Sequence, residues 1–145
     1  MVGKYFMEEN IRWKQRFNHF EKAFNLLKNV FEDKKIEELS LLEKEGVVQR
    51  FEYTYELAWK TLKDYLEYNG SLNNIDISPR NIFKEAYSAK IIKNEDIFID
   101  MMLSRNLLSH TYDFVKFTEI FKRIENDYLK VLNELYNFFL ERLNS

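Results

Sequence analysis

At 145 residues, 46% hydrophobic and 17% aromatic, the chain has the length and apolar content of one domain with a substantial core. Three glycines and one proline are too few for the many turns of an all-β or loop-rich protein, so the composition points to helices. The absence of cysteine excludes disulfides and thiolate metal sites, and a formal charge of -2 leaves any RNA contact to a local basic patch.

A first helix is expected over about Glu8–Phe31. Trp13, Phe17, Phe20, Phe24, Leu27 and Phe31 recur at alternating spacings of four and three, which gathers them on one face. His19 lies beside that stripe and reads as a solvated or boundary residue. Glu32-Asp33-Lys34-Lys35 reads as a solvated helix end or link. A second helix is expected from Ser40, because Ser-Leu-Leu-Glu is a capping-box pattern. Gly46 works against its first turns at a cost of ~1 kcal/mol relative to alanine. Val48, Phe51, Tyr55, Ala58, Leu62 and Tyr65 then form a strong stripe, and Asn69-Gly70 supplies the stop.

Residues 71–77 are polar and read as a loop. Ser78-Pro79 marks an N-cap followed by proline at the first helical position, opening a third helix to about Ile92. This is the most basic stretch, with Arg80, Lys84, Lys90 and Lys93 against Glu85. Asn94-Glu95-Asp96 begins a fourth helix, since acids suit the positive end of a helix. That helix runs through Met101-Met102, read as core, into Arg105–His110. A fifth covers roughly Phe117–Leu143 on a stripe of Phe117, Phe121, Ile124, Tyr128, Val131, Leu135 and Phe138. These elements predict an all-α fold, an up-and-down antiparallel helical bundle of four to five helices, in a single domain over residues 1–145. No apolar run approaches the ~18–20 residues needed to span a bilayer. Met1-Val2-Gly3-Lys4 leads into Glu8 and Glu9 without the apolar stretch of a signal peptide. The expectation is a cytoplasmic protein without a membrane partner.

Candidate chemistry concentrates in Arg105-Asn106-Leu107-Leu108-Ser109-His110-Thr111-Tyr112. It holds a permanent cation, an imidazole and a phenol in a chain with two histidines. Five residues along a straight helix turn ~500°, so Arg105 and His110 would point ~140° apart. Either the helix ends or distorts around Leu108–Ser109, or the two side chains meet across an interface. Asn106 and His110, at i and i+4, would share a face. The plain alternative has Arg105 on a carboxylate, His110 capping carbonyls and Tyr112 in the core. Glu52, Glu56 and Lys60 read first as surface ion pairs and second as a polar groove. No cluster of histidines and carboxylates has the spacing of a catalytic metal site, and no cofactor is implied.

The run Phe51-Glu52-Tyr53-Thr54-Tyr55-Glu56-Leu57-Ala58-Trp59-Lys60, continuing to Leu66, is followed by Ser78-Pro79-Arg80 and then by Arg105-Asn106 and Ser109-His110-Thr111-Tyr112. Together they resemble the nucleotidyltransferase substrate-binding protein family, part of the HEPN superfamily of small helical-bundle proteins. The similarity extends from Trp13 to the last helix. An R-x4-H pattern alone arises by chance; its H-x-Y extension and the second-helix signature give it specificity. The resemblance implies a HEPN-like bundle and a minimal nucleotidyltransferase as partner, the two forming a toxin–antitoxin module. It further implies that Arg105 and His110, supported by Asn106, form a metal-independent RNase site at a homodimer cleft. It also implies that Tyr112 accepts AMP from the partner enzyme. The chemistry is sound in itself: a near-neutral imidazole suits deprotonation of a 2′-hydroxyl, and a guanidinium suits the charge on phosphorus. The competing expectation is a non-catalytic subunit that binds a nucleotide or substrate and presents it to the nucleotidyltransferase. A third is a plain structural bundle.

Overall fold

The four–three spacing of Trp13, Phe17, Phe20, Phe24 and Leu27 is realised in α1 (Val2–Asp33), where all five are buried. The computed structural model describes residues 2–72, 74–110 and 114–144. After α1 come α2 (Leu41–Tyr68), α3 (Pro79–Ser88), α4 (Glu95–His110), α5 (Phe114–Arg123) and α6 (Leu129–Leu143). A 3-10 turn at Ile36–Glu38 joins α1 to α2, and a π-helical turn at Ile124–Tyr128 joins α5 to α6 without a break. No strand occurs among the described residues, so the fold is the all-α bundle the composition demanded. Among them, no helix is long and apolar enough to cross a membrane.

Contacts between helices fix their directions. Arg12–Glu67, Arg16–Asp64, Arg50 to the Leu26 carbonyl and Lys34–Glu43 occur in reverse order along α1 and α2, so these two run antiparallel. Tyr136 meets Glu21 while Phe139 meets Phe17, which sets α6 antiparallel to α1. Phe139 is the hub: its ring lies 5.8 Å from Trp13, 5.7 Å from Phe17 and 5.5 Å from Tyr65. Truncating a buried aromatic of this kind costs about 3–5 kcal/mol, which makes this cluster the main joint of α1, α2 and α6. The shorter α3 and α4 pack on the other side of α2, through Tyr55–Phe83 and Phe83–Phe98 ring contacts.

Caps act where the sequence places them. Ser40 and Glu43 form the reciprocal capping box, Ser78 accepts from the Asn81 N–H ahead of Pro79, and Gly70 takes a left-handed φ of 72° after α2. Three boundaries differ from expectation. α1 starts well before Glu8, since nothing in the first turns breaks a helix and Phe6 rests on Tyr68, with ring centroids 4.7 Å apart. α3 stops at Ser88 rather than near Ile92, because Lys90 enters the left-handed region at φ 62°. The expected last helix is interrupted by the π turn. Beyond it Val131 and Leu135 are buried as expected, but the stripe ends on Phe139, which is fully buried, while Phe138 is only partly so.

Candidate functional site

α4 carries the candidate residues. The Asn94 carbonyl receives the N–H groups of Ile97 and Phe98, and Glu95 and Asp96 occupy the first turn, complementing the helix dipole. Phe98, Met101, Met102, Ser104 and Leu108 are buried, so the Met101-Met102 pair is core as read from sequence. Ser104 is polar and buried, and its Oγ lies 2.6 Å from the Tyr128 hydroxyl. The same hydroxyl donates to Asp100 Oδ2 at 2.5 Å, and Arg123 approaches Asp100 at 3.7 Å. Burial pushes the Tyr128 phenol well above the usual tyrosine range, Asp100 adds to the shift, and Ser104 and Arg123 oppose it. Tyr128 therefore remains a donor at any physiological pH. It fastens α4 to the π turn at two successive helical turns, immediately before Arg105.

Arg105 follows Ser104 on α4 and is half-buried. Its Nε is sealed from solvent with no hydrogen-bond partner. Among the described residues no carboxylate forms an ion pair with it; Arg50, bonded to the Leu26 carbonyl, and Arg80 have none either, whereas Arg12, Arg16, Arg123 and Arg142 do. Its position is marked by Tyr55 of α2. Burial pushes the Tyr55 phenol above its ordinary range, Glu56 pushes the same way, and the nearby Arg105 pulls it down. The carboxylate proposed for Arg105 in the plain reading is thus not found among the described residues. A buried N–H without a partner costs about 1–3 kcal/mol, more for a charged group, so this cation is held ready at a standing cost.

Asn106 is exposed at the next position. Ser109 Oγ donates back to the Arg105 carbonyl at 3.2 Å, and α4 continues through His110. The distortion considered at Leu108–Ser109 does not occur. On a regular helix the Arg105 and His110 side chains leave in directions ~140° apart. The imidazole of His110 and the whole of Tyr112 lie outside the described residues. Glu56 pairs with Lys60 at 3.2 Å, the surface pairing expected first, and His19 is exposed.

Sequence reasoning missed Tyr55 and the group of Asp100, Ser104, Arg123 and Tyr128. A signal existed in Asp100 and Ser104, two polar residues four apart on an otherwise apolar helix face. Tyr128 gave none, since a tyrosine in an apolar stripe reads as core.

A family model described as nucleotidyltransferase substrate binding protein like matches residues 15–141. The chain belongs to this family. A probable ribonuclease HepT from Haemophilus influenzae is 30% identical over 101 residues, which cover 68% of this chain and 65% of that protein. The chain thus spans about 65% of that relative's length. A solved crystal structure of a Thermus thermophilus protein superposes with a TM-score of 0.72 at 30% identity, over 87% of this chain and 99% of the other. The family's description ties its members to a nucleotidyltransferase, and the match covers nearly the whole helical frame.

Proposed function

We propose that this nucleotidyltransferase substrate-binding family protein is the partner subunit of a minimal nucleotidyltransferase and a metal-independent endoribonuclease, the toxin half of a toxin–antitoxin pair. The observation that carries the reading is Arg105, a half-buried guanidinium with an unpartnered Nε and no carboxylate among the described residues. A cation with no carboxylate among the described residues, on a fastened helix, is what a phosphodiester would complete. The name of the Haemophilus influenzae relative supports the same chemistry.

In this reading two copies of the chain juxtapose their α4 ends. The imidazole of one His110 takes the proton of the 2′-hydroxyl, and the 2′-oxygen attacks phosphorus. The 5′-oxygen leaves with a proton from the second His110, yielding a 2′,3′-cyclic phosphate and a free 5′-hydroxyl. Arg105 holds the phosphoryl oxygens with its forked donors as charge builds there. Asn106 supports the cleft from its exposed position beside Arg105. The regular course of α4 favours assembly between subunits, since one helix does not aim both groups at one point. AMP transferred to Tyr112 by the nucleotidyltransferase would place an anion two residues from His110, blocking the cleft and neutralising Arg105.

The test is RNA cleavage in excess chelator by the folded protein, compared with Arg105→Ala and His110→Ala. Loss of about 10²–10⁴-fold is expected for His110→Ala. Incubation with the nucleotidyltransferase and ATP should add an adenylyl group to Tyr112, seen by intact-protein mass spectrometry with fragmentation, and stop cleavage. Absence of cleavage across varied RNAs by the correctly folded protein overturns the reading. The family's substrate-binding description favours a second one, in which Arg105 grips a nucleotide for the partner enzyme. Activity that appears only in the complex, on a third molecule, would select it.

A further inference from the structure

α2 and α3 end in the same backbone motif. After α2, the Ser71 N–H reaches the Leu66 carbonyl at 2.9 Å and the Gly70 N–H reaches Glu67 at 3.0 Å. After α3, the Ile91 N–H reaches Ala86 at 2.9 Å and the Lys90 N–H reaches Tyr87 at 3.0 Å. Both are Schellman caps, whose pivot residue takes a left-handed conformation. α2 uses glycine there, at φ 72°; α3 uses lysine, at φ 62°. A side chain at such a pivot is strained, so lysine sits there against local backbone preference.

Lys90 follows an exposed stripe of α3 just past the helix end. Arg80, Lys84, Tyr87 and Ser88 are exposed, while Ile82, Phe83 and Ala86 are buried. At 100° per residue the exposed four fall within an arc of about 100° on one face. Tyr87 leaves half of its surface open, at 50%. Arg80, Lys84, Lys90 and Lys93 make no ion pair among the described residues, and the segment's one acid, Glu85, is half-buried off the stripe. Arg80 and Lys84 stand about 6 Å apart along the helix axis, close enough to meet successive phosphates.

The stripe has a direction. α3 and α4 are joined by the short link through Ala89–Asn94, and Phe83 meets Phe98 with ring centroids 5.2 Å apart. Phe83 also meets Tyr55 of α2, with ring centroids 6.2 Å apart, and Tyr55 is the phenol that Arg105 approaches closely enough to pull down, so α3 and Arg105 share a neighbour. At the other end, Lys90 and Lys93 border a groove of about 370 Å³ whose far wall carries Glu134 and Glu141 of α6. An anionic strand is therefore repelled from the α6 side and confined to α3.

We propose that Arg80, Lys84, Tyr87, Lys90 and Lys93 form a track for single-stranded RNA that leads to Arg105. The cations hold the phosphates and the Tyr87 ring stacks a base. The inference rests on RNA as the ligand of the Arg105 site and extends it to a surface beyond the R-x4-H-x-Y segment.

Binding of a fluorescent 2′-O-methyl oligonucleotide, which lacks the attacking hydroxyl, is measured by anisotropy at several salt concentrations. The R80Q/K84Q double variant should bind at least tenfold more weakly, with the slope of log affinity against log salt reduced by about 1.4, the value for two single-strand contacts. Tyr87→Ala should weaken binding roughly fivefold or more with an unchanged slope. Lys90→Gly should weaken binding while raising the melting temperature by about 3 °C. Folded variants with wild-type affinity and slope overturn the track. So does R80Q/K84Q that binds RNA normally yet loses the nucleotidyltransferase, which would make the stripe a protein interface. The oligonucleotide is uncleavable, so these results stand apart from catalysis. A protein that binds along α3 but cuts no RNA keeps the track and removes the ribonuclease.

Discussion

Tyr128 illustrates how one hydroxyl organises a site it does not enter. Its phenol meets Asp100 and Ser104, so the π turn and α4 share a single anchoring point. Replacing it with phenylalanine keeps the packing and leaves the buried Ser104 hydroxyl without this partner, while Asp100 keeps Arg123 and solvent. Tyr128→Phe should lower stability by about 1–3 kcal/mol in urea unfolding with an unchanged m-value. At this scale the sequence was legible where a residue type is out of place. Arg105 and His110 stand out because cations and imidazoles are scarce in this segment of the chain, and Asn106 was singled out as a site residue through the family resemblance alone. Tyr128 and Tyr55 did not, because a tyrosine with a buried ring looks apolar until its oxygen's neighbour is known, and that neighbour lies on another helix.

Between elements, the join of α1 to α2 holds a charge in the interior. Asp64 is 1% exposed and is met by Arg16 at 3.0 Å, with Lys63 at 3.6 Å. Arg16→Met leaves that carboxylate short of its main partner. The expected loss is about 2–4 kcal/mol, discounted because Arg16 reaches solvent, and R16M/D64N should recover most of it in thermal or chemical unfolding. The N-terminus of α2 gives a second, pH-dependent expectation. Lys34 and the Ser40 cap hold the Glu43 carboxyl down to about 2, from an ordinary 4.5. A depressed acid contributes stability above its unfolded pKa and loses it as pH falls toward its folded value. Between pH 4.5 and 2 the wild type should therefore lose more melting temperature than Glu43→Gln. Ser40, Ser78-Pro79 and Gly70 made both ends of α2 and the start of α3 legible, since each residue type suits the geometry it adopts. The end of α3 was not, because lysine at a left-handed pivot contradicts its own propensity. The start of α1 was hidden because its first turns carry neither a cap nor a breaker.

For the whole molecule, the antiparallel bundle followed from few turn residues and long four–three stripes, and the hub at Phe139 accounts for its cohesion. The candidate site was only half legible. α4 remains regular, and the proposed mechanism therefore takes its second imidazole from another copy of the chain. A cleft shared in this way has a simple consequence for mixtures of Arg105→Ala and His110→Ala chains refolded together. On random pairing about half of the dimers are mixed, and each keeps one Arg105 and one His110. A cut that takes its base and its acid from two imidazoles leaves such mixtures near background. Recovery of about a quarter of wild-type cleavage would instead show that one arginine and one histidine suffice, and would remove the second His110 from the mechanism.

The π turn has a bearing on which lengths of chain this protein tolerates. Five residues there do what fewer do elsewhere, so α6 meets α1 and α2 rotated by roughly 100° from where an uninterrupted helix would have set it. With that offset Phe139 and Leu132, which lie off the uninterrupted stripe, reach the interior. Substitutions at the exposed Glu125, Asn126 and Asp127 should pass almost unnoticed, while dropping any one of the three would swing the entire closing helix out of phase with its neighbours. This stretch is indifferent to spelling and intolerant of miscounting.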